Sequence, residues 1–513
     1  MVFKILILVL FFGLMIGIGL YCRRHATDVN GFVLGGRSVG PWLTAFAYGT
    51  SYFSAVIFVG YAGQFGWKYG IATTWVGIGN ALLGSLLAWV VLGRRTRIMS
   101  QHLNSATMPQ FFEARYGSAA LKIAASAITF IFLIPYTASV YNGLSRLFGM
   151  AFNIPYEYCV IAMAVLTAVY VIAGGYMATA INDFVQGIIM LVGIVAVIVV
   201  VLQKNGGLTA ALGGLAAVTD ETVSTTPGIF ASFFGPNIPD LAGVVILTSL
   251  GTWGLPQMVQ KFYAIKSEKS ISTGTVVSTL FAVVVAGGCY FLGGFGRLFS
   301  DKIDIAANGY DSVIPTMLSG LPEILLAVVI VLVLSASMST LSSLVLTSGS
   351  TLTLDLLKGQ FIKNMKEKTQ VLVMRALILV FILISVVIAI FQYQKNLTFI
   401  AQLMGISWGA LAGAFLAPFL YGLYWKKTTK IACWVSFLFS TLVMTANIFW
   451  REMFPKFLQS PINAGAFCMI AGLVLVPLVS LITPKPDKKV VDDAFACYEE
   501  KVLVPQREAL GDD

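Results

Sequence analysis

Apolar runs of about twenty residues recur along this chain, continuous rather than alternating. One core of such a run is Ile324-Leu-Leu-Ala-Val-Val-Ile-Val-Leu-Val-Leu334. A segment like this buries its backbone hydrogen bonds as a helix and crosses hydrocarbon. A membrane β-barrel is excluded, because its strands alternate apolar and polar with period two. A soluble domain is excluded as well, since 58% of the 513 residues are hydrophobic and 11% charged. The pattern predicts an all-α polytopic membrane protein. About thirteen spans fall at 3–21, 41–65, 72–92, 120–149, 157–173, 182–203, 240–260, 271–296, 324–354, 371–392, 397–424, 429–450 and 464–482.

The first run lacks a basic leader and a small-x-small cleavage site, and Cys22-Arg-Arg24 follows it. It reads as a retained helix rather than a signal peptide. With its N-terminus outside, inner segments hold more than twice as many basic residues as outer ones, among them Arg23, Arg24, Arg94, Arg95, Arg97, Lys261, Lys266 and Lys269. That bias is the topology signal, so the net charge of +10 does not point to nucleic acid. The tail from Pro484 is expected in the cytoplasm, polar and too short for a fused domain. Two long outer connections, 204–239 and 297–323, are expected as plain connectors or carriers of short lid helices. The six cysteines have neither disulfide nor zinc spacing.

Two spans are interrupted. The second holds Phe46-Ala-Tyr-Gly-Thr-Ser-Tyr-Phe-Ser54 and the seventh Gly251-Thr-Trp-Gly-Leu-Pro256. Each opens a block of five spans, and five is odd, so the second block enters the membrane in the opposite sense. Paired broken helices in two inverted repeats mark a transporter binding site. The expected organisation is a leading helix at 1–21, repeats at 41–203 and 240–424, two further helices within 429–483, and the tail 484–513.

Against the break stands Ser335-Ala-Ser-Met-Ser-Thr-Leu-Ser-Ser343, with six hydroxyls in nine residues. At 3.6 residues per turn, Ser335, Ser339 and Ser342/Ser343 share a face. A column of oxygens suits a hard cation, although small hydroxyl residues also serve close helix packing. Carbonyls freed near Thr50–Phe53 are costly in lipid unless satisfied. A cation between the break and the ninth span would satisfy both. Proton coupling needs an embedded carboxylate or histidine. Asp183 alone stands out, where the sixth span begins and where a helix cap is the competing explanation, while His25 and His102 lie in loops. Na⁺ is therefore favoured over H⁺. An enzyme lacks its catalytic constellation, a channel lacks its ring of carbonyls or charges, and no organic cofactor, nucleic acid or obligate protein partner is expected.

These motifs together resemble the sodium:solute symporter family over about residues 5–483. The pieces are Phe32-Val-Leu-Gly-Gly-Arg-Ser-Val-Gly-Pro-Trp42, Gly174-Gly-Tyr-Met-Ala through Asp183-Phe-Val-Gln186, Met338-Ser-Thr-Leu-Ser342 and Gly422-Leu-Tyr-Trp-Lys-Lys427. In general look the chain is closest to the sodium/proline branch. The resemblance implies a leucine-transporter-type fold of two inverted five-helix repeats with an extra N-terminal helix, working by alternating access in the cell membrane. It implies a main sodium site on the carbonyls of Thr50, Phe53 and Ala336 and the hydroxyls of Ser339 and Thr340. A second sodium site of some members would match Ser339, Ser342, Ser343 and Asp183, leaving one or two sodium ions per cycle open.

The substrate residues depart from the proline pattern. Tyr52 stands where those carriers have Asp, Val56 where they have Trp, and Thr248 and Thr252 replace aromatics beside Trp253. Tyr136 matches a tyrosine of the proline carriers. The expected cavity wall is Tyr52, Phe53, Val56, Tyr136, Thr248, Thr252, Trp253, Gln402 and Trp408. With no evident fixed charge, it suits a small neutral or zwitterionic solute such as a proline-like amino acid. A monocarboxylate, a pantothenate-like vitamin or a sugar is the alternative substrate, and a membrane sensor without net transport is the alternative of another class.

Overall fold

The computed structural model describes residues 2–152, 154–362, 364–395 and 400–499. The start of the span predicted from 397 and the tail beyond 499 lie outside the described residues. Among the described residues the chain is helical, with only two isolated β-bridges, Val39 to Ile265 and Asp220 to Ser224. The principal helices are α1 (Val2–Cys22), α2 (Pro41–Tyr52), α3 (Ala62–Tyr69), α4 (Ala119–Phe152) and α5 (Tyr156–Lys204). Then come α6 (Ile238–Gly254), α7 (Pro256–Tyr263), α8 (Lys269–Ala282), α9 (Glu323–Thr351) and α10 (Glu367–Lys395). The series closes with α11 (Ile400–Tyr424), α12 (Lys430–Phe449) and α13 (Pro461–Ile482).

Among the described residues, ten helices are long and apolar enough to cross a membrane, or eleven if the bent pair α6 and α7 counts as one span. This is fewer than the thirteen predicted, because two unbroken stretches cover four of those spans. Helix α5 runs 49 residues, and Val56–His102 runs 47. A straight helix of 49 residues would be about 73 Å long, more than twice the roughly 30 Å hydrocarbon core. Both stretches change direction at a glycine with positive φ. Gly175 has φ 56° and ψ −149°, and Gly70 has φ 62° and ψ −141°. Gly175 lies between the predicted spans 157–173 and 182–203.

Helices α9 and α11 sit at the centre. Every residue of α9 from Val329 to Thr351 is buried, hydroxyls included. By contrast α1 exposes Ile5, Leu6, Val9, Leu10 and Leu14, and α10 exposes Leu372, Leu379, Leu383 and Val387. Apolar stripes at helical spacing with nothing packed over them are lipid-facing surface. The hydroxyl-rich helix is thus kept from lipid by a shell of oilier ones.

Helix crossings are set by glycine where backbones touch. Gly66 of α3 and Gly293, at the end of the Gly288–Gly293 helix, meet face to face. A Cβ on Gly66 would lie 1.9 Å from the Gly293 carbonyl oxygen, and one on Gly293 would lie 2.2 Å from the Ala62 carbonyl oxygen. Both long connections carry short helices, Leu208–Ala217 in one and Ile305–Asn308 and Val313–Ser319 in the other. Arg297 clasps them together. It donates to Asp220 at 2.8 Å and to the Trp67 carbonyl at 2.6 Å, with its guanidinium 3.9 Å from the Phe230 ring centroid. The tail also has structure. Helix Lys488–Ala496 buries Val491, Ala494 and Phe495 against the bundle, and the Phe495 ring receives the cations of Arg115 and Lys426.

The Gly175 conformation is one that side chains avoid, at about 1–3 kcal/mol, and its Cβ would lie 2.9 Å from the Phe32 carbonyl oxygen. Gly175→Ala is expected to lower the melting temperature of the purified protein by several degrees. Gly213→Ala, inside a helix with nothing within 4 Å, is expected to leave it unchanged or raise it. Thermal unfolding of the two variants side by side checks the assignment of the break.

Candidate cation and solute site

Helix α2 ends at Tyr52, and Phe53 is extended, with φ −91° and ψ 111°. The chain resumes as a π-helical turn, Val56–Tyr61, that runs into α3. The last carbonyls of any helix lack an N–H four residues on. Here α9 meets them. The Ser339 hydroxyl lies 3.1 Å from the Thr50 carbonyl oxygen and 3.0 Å from that of Ala336. The Thr340 hydroxyl lies 3.4 Å from the carbonyl oxygens of Thr50 and Phe53 and 3.1 Å from that of Ala336. The structure therefore brings together all five groups expected at the main cation site. Four of the five residues show no exposure and Phe53 almost none.

The donor set fits a hard monovalent cation. It is all oxygen, and hydroxyls can turn their protons away from a cation while carbonyls need no change. For ligands at about 2.4 Å, the range typical of a calcium-sized ion, oxygens at right angles stand about 3.4 Å apart. The observed separations of 3.0–3.4 Å need only a slight expansion to match. Ser337 adds support by accepting from the Ala55 N–H at 3.4 Å, which pins the far side of the break to the same helix.

The other expected cation ligands are placed differently. Ser342 and Ser343 hydroxyls both turn back to the Ser339 carbonyl, at 2.9 and 3.2 Å. Ser343 is also 2.9 Å from the Ser51 hydroxyl and accepts from the Lys261 ammonium at 3.0 Å. That ammonium stands 3.8 Å from Asp183, and both side chains are buried. Lys261 is therefore no loop charge. The chain bends by 46° between α6 and α7 at the extended Leu255, and α7 carries Lys261 into the protein. Nor is Asp183 a helix cap, because α5 breaks at Gly175, eight residues earlier. Asp311 and Asp355 are buried too. Asp355 accepts from Thr107 and Gln110 at 2.7 and 2.8 Å. Asp311 accepts from the Ile400 N–H at 3.3 Å and lies 3.8 Å from Arg146.

The expected solute residues divide into three groups. Tyr136 and Trp408 are brought together, ring edge to ring face at 5.8 Å and 85°. Both are fully buried, yet neither the Tyr136 hydroxyl nor the Trp408 indole nitrogen closes a hydrogen bond. Each lies two helical turns from a contact with the continuing half of the broken helix. Gly143, on the helix of Tyr136, packs against Ala55, and Ala401, on the helix of Trp408, packs against Gly60. The backbone of Gly251 covers the other side of the Trp408 indole. Val56 is buried in the π turn itself.

Gln402 instead lines a cavity of about 250 Å³ with Gln64, Lys68, Asp240 and Asn463. Thr252 and Trp253 are engaged in helix contacts, donating at 2.9 Å to the carbonyls of Gly84 and Leu83. The Thr248 hydroxyl bonds back to the Val244 carbonyl at 2.8 Å. The Tyr52 side chain lies outside the described residues. Gln64, which lines the same cavity as Gln402, was not among the expected solute residues.

Comparison with known proteins gives the family and the fold. The osmoregulated proline transporter OpuE of Bacillus subtilis strain 168 is 27% identical over 496 residues, covering 93% of this chain and 94% of the relative. The sodium/proline symporter of Staphylococcus aureus strain JH9 is 29% identical over 497 residues, covering 94% and 93%. Among solved structures, a substrate-bound, outward-open Na⁺-coupled sialic acid symporter matches with a TM-score of 0.76 at 14% identity, over 94% of this chain and 98% of that one. That likeness gives the fold, the leucine-transporter type that the family resemblance implied. The family model for the sodium:solute symporter family matches residues 32–438; the chain belongs to that family and is a sodium-coupled membrane symporter.

Proposed function

We propose that this protein imports a small zwitterionic amino acid of the proline kind together with Na⁺, bound where the break after α2 faces α9. The observation that carries the reading is the convergence of Ser339 and Thr340 on the carbonyls of Thr50, Phe53 and Ala336. The proline names of the two relatives favour the solute class. In this reading 41–203 and 240–424 are the inverted repeats, supported by the break at Phe53 in one and at Leu255 in the other. Helix α1 precedes them, two helices within 429–483 follow, and the tail 484–513 lies in the cytoplasm with the N-terminus outside.

Coupling follows from which contacts need the cation. Without it, the Ser339 and Thr340 hydroxyls hold the break by hydrogen bonds alone. With it, five oxygens are drawn to one centre and the broken helix is held against α9. A ligand shifts a conformational equilibrium only through its differential affinity for the two states. Sodium therefore favours the state in which Ala55 packs against Gly143 and Gly60 against Ala401, on the helices that carry Tyr136 and Trp408. The orphaned hydroxyl and indole N–H of those residues then offer an acceptor and two donors to the carboxylate and amine of the solute.

A single neutral hydrogen bond contributes about 0.5–1.5 kcal/mol, so Ser339→Ala and Thr340→Ala should fold. Each is expected to raise the Na⁺ concentration for half-maximal uptake by about tenfold or more, a change of about 1.4 kcal/mol in cation binding. Proline uptake into proteoliposomes with Na⁺ or choline outside measures this. Unchanged sodium dependence in a well-folded Ser339→Ala protein would remove the site. Trp408→Ala is expected to abolish proline-dependent thermal stabilisation in Na⁺, whereas Trp253→Phe should retain it. Loss of that stabilisation in both alike would place the solute elsewhere.

A further inference from the structure

The Lys261–Asp183 pair has no role in the main cation site, yet it stands one step from it. Both side chains are buried, at 1% and 0% exposure. The Lys261 ammonium is 3.8 Å from Asp183 Oδ2 and donates to Ser343 Oγ at 3.0 Å. It also faces the Tyr176 ring, 5.1 Å from its centroid. Neither oxygen of Asp183 accepts a hydrogen bond among the described residues. Ser343 is in turn 2.9 Å from Ser51, the residue after Thr50, and 3.2 Å from the carbonyl of Ser339.

One carboxylate, a serine hydroxyl and an aromatic face, all out of water, are a site for one positive charge. Here that charge is already covalently attached. A sodium ion entering the same space would set two cations against a single carboxylate in a low-dielectric interior, where like charges repel strongly. The oxygens of Asp183, Ser342 and Ser343 therefore do not fit a second sodium while Lys261 remains.

We infer that Lys261 is a built-in cation: its ammonium takes the place a second Na⁺ would hold between Asp183 and Ser343, and this chain carries one Na⁺ per cycle. The inference deepens the sodium-coupled reading and rests on it. Lys261 is a positioning residue. Through Ser343 and Ser51 it links α7, which follows one helix break, to α2, which ends at the other, and Asp183 ties both to α5. A tethered ammonium cannot leave to the far side, so this half of the network stays charged throughout the cycle. Only the Ser339–Thr340 half loads and unloads.

The test counts ²²Na⁺ bound at saturation to purified full-length protein without solute, alongside melting temperature in NaCl and choline chloride. The wild type is expected to bind one ion. Lys261→Met leaves Asp183 uncompensated, so it should bind two and gain extra stabilisation in NaCl over choline. The double variant Lys261→Met/Asp183→Asn has no stranded charge and should return to one. Two ions in the wild type, or one in a folded Lys261→Met protein, overturns the inference. Where Lys261→Met does not survive purification in either salt, the wild type and the double variant decide, and a count above one in either overturns it. A wild-type count of zero is a different failure, because it removes the sodium-coupled reading itself.

Discussion

The hydrogen bonds from Ser339 and Thr340 of α9 to the carbonyls of Thr50 and Phe53 are the contact on which the centre of the molecule depends. A helix interrupted at membrane depth exposes carbonyls that lipid cannot solvate. The break after α2 survives because another helix supplies hydroxyls at the right height. This explains why a run of serines lies in the fully buried stretch of α9 rather than on a surface helix. It also explains why α9 is wrapped by α5, α4 and α10, whose outer faces carry exposed apolar side chains. The polar interior is affordable only inside that shell.

Much of this was legible in the sequence because its signals are local. Apolar runs, the glycine and polar residues of the second span, and Ser335–Ser343 each announce themselves within about ten residues. The main cation residues follow from two such segments and need only to be set side by side. Lys261 was not legible in the same way. At the end of an apolar run a lysine reads as a topology charge, and only the bend at Leu255 turns it inward. Asp183 reads as a cap if the span begins at 182, yet the backbone breaks at Gly175 and leaves it inside the helix. Asp355 and Asp311 sit beside partners 248 and 89 residues away in sequence, which no local pattern reveals.

The solute residues show the same limit from another side. Thr252 and Trp253 lie next to Gly251 in sequence, but successive residues on a helix point about 100° apart. Gly251 faces Trp408, while Thr252 and Trp253 turn to the carbonyls of Gly84 and Leu83. Composition identifies an aromatic, polar-edged span, and only the neighbour on each face decides whether a side chain packs or points into a cavity. Among the described solute residues, Tyr136 and Trp408 leave a buried hydroxyl and a buried indole N–H without a partner, a lack they share with other buried side chains such as Tyr141 and Tyr263.

The docked tail has a mechanical consequence. Phe495 sits beneath Arg115 and Lys426, Tyr498 donates to the Arg95 carbonyl, and His102 bonds the Asp493 carbonyl. Those groups belong to both ends of the Arg94–His102 helix, to the Met108–Tyr116 helix and to the turn after α11. The segment is a strap laid across three separate segments of the bundle. A motion that parts those segments would have to peel the Phe495 ring from two cations, so the tail adds a resistance to separation that the membrane-spanning helices do not themselves contain.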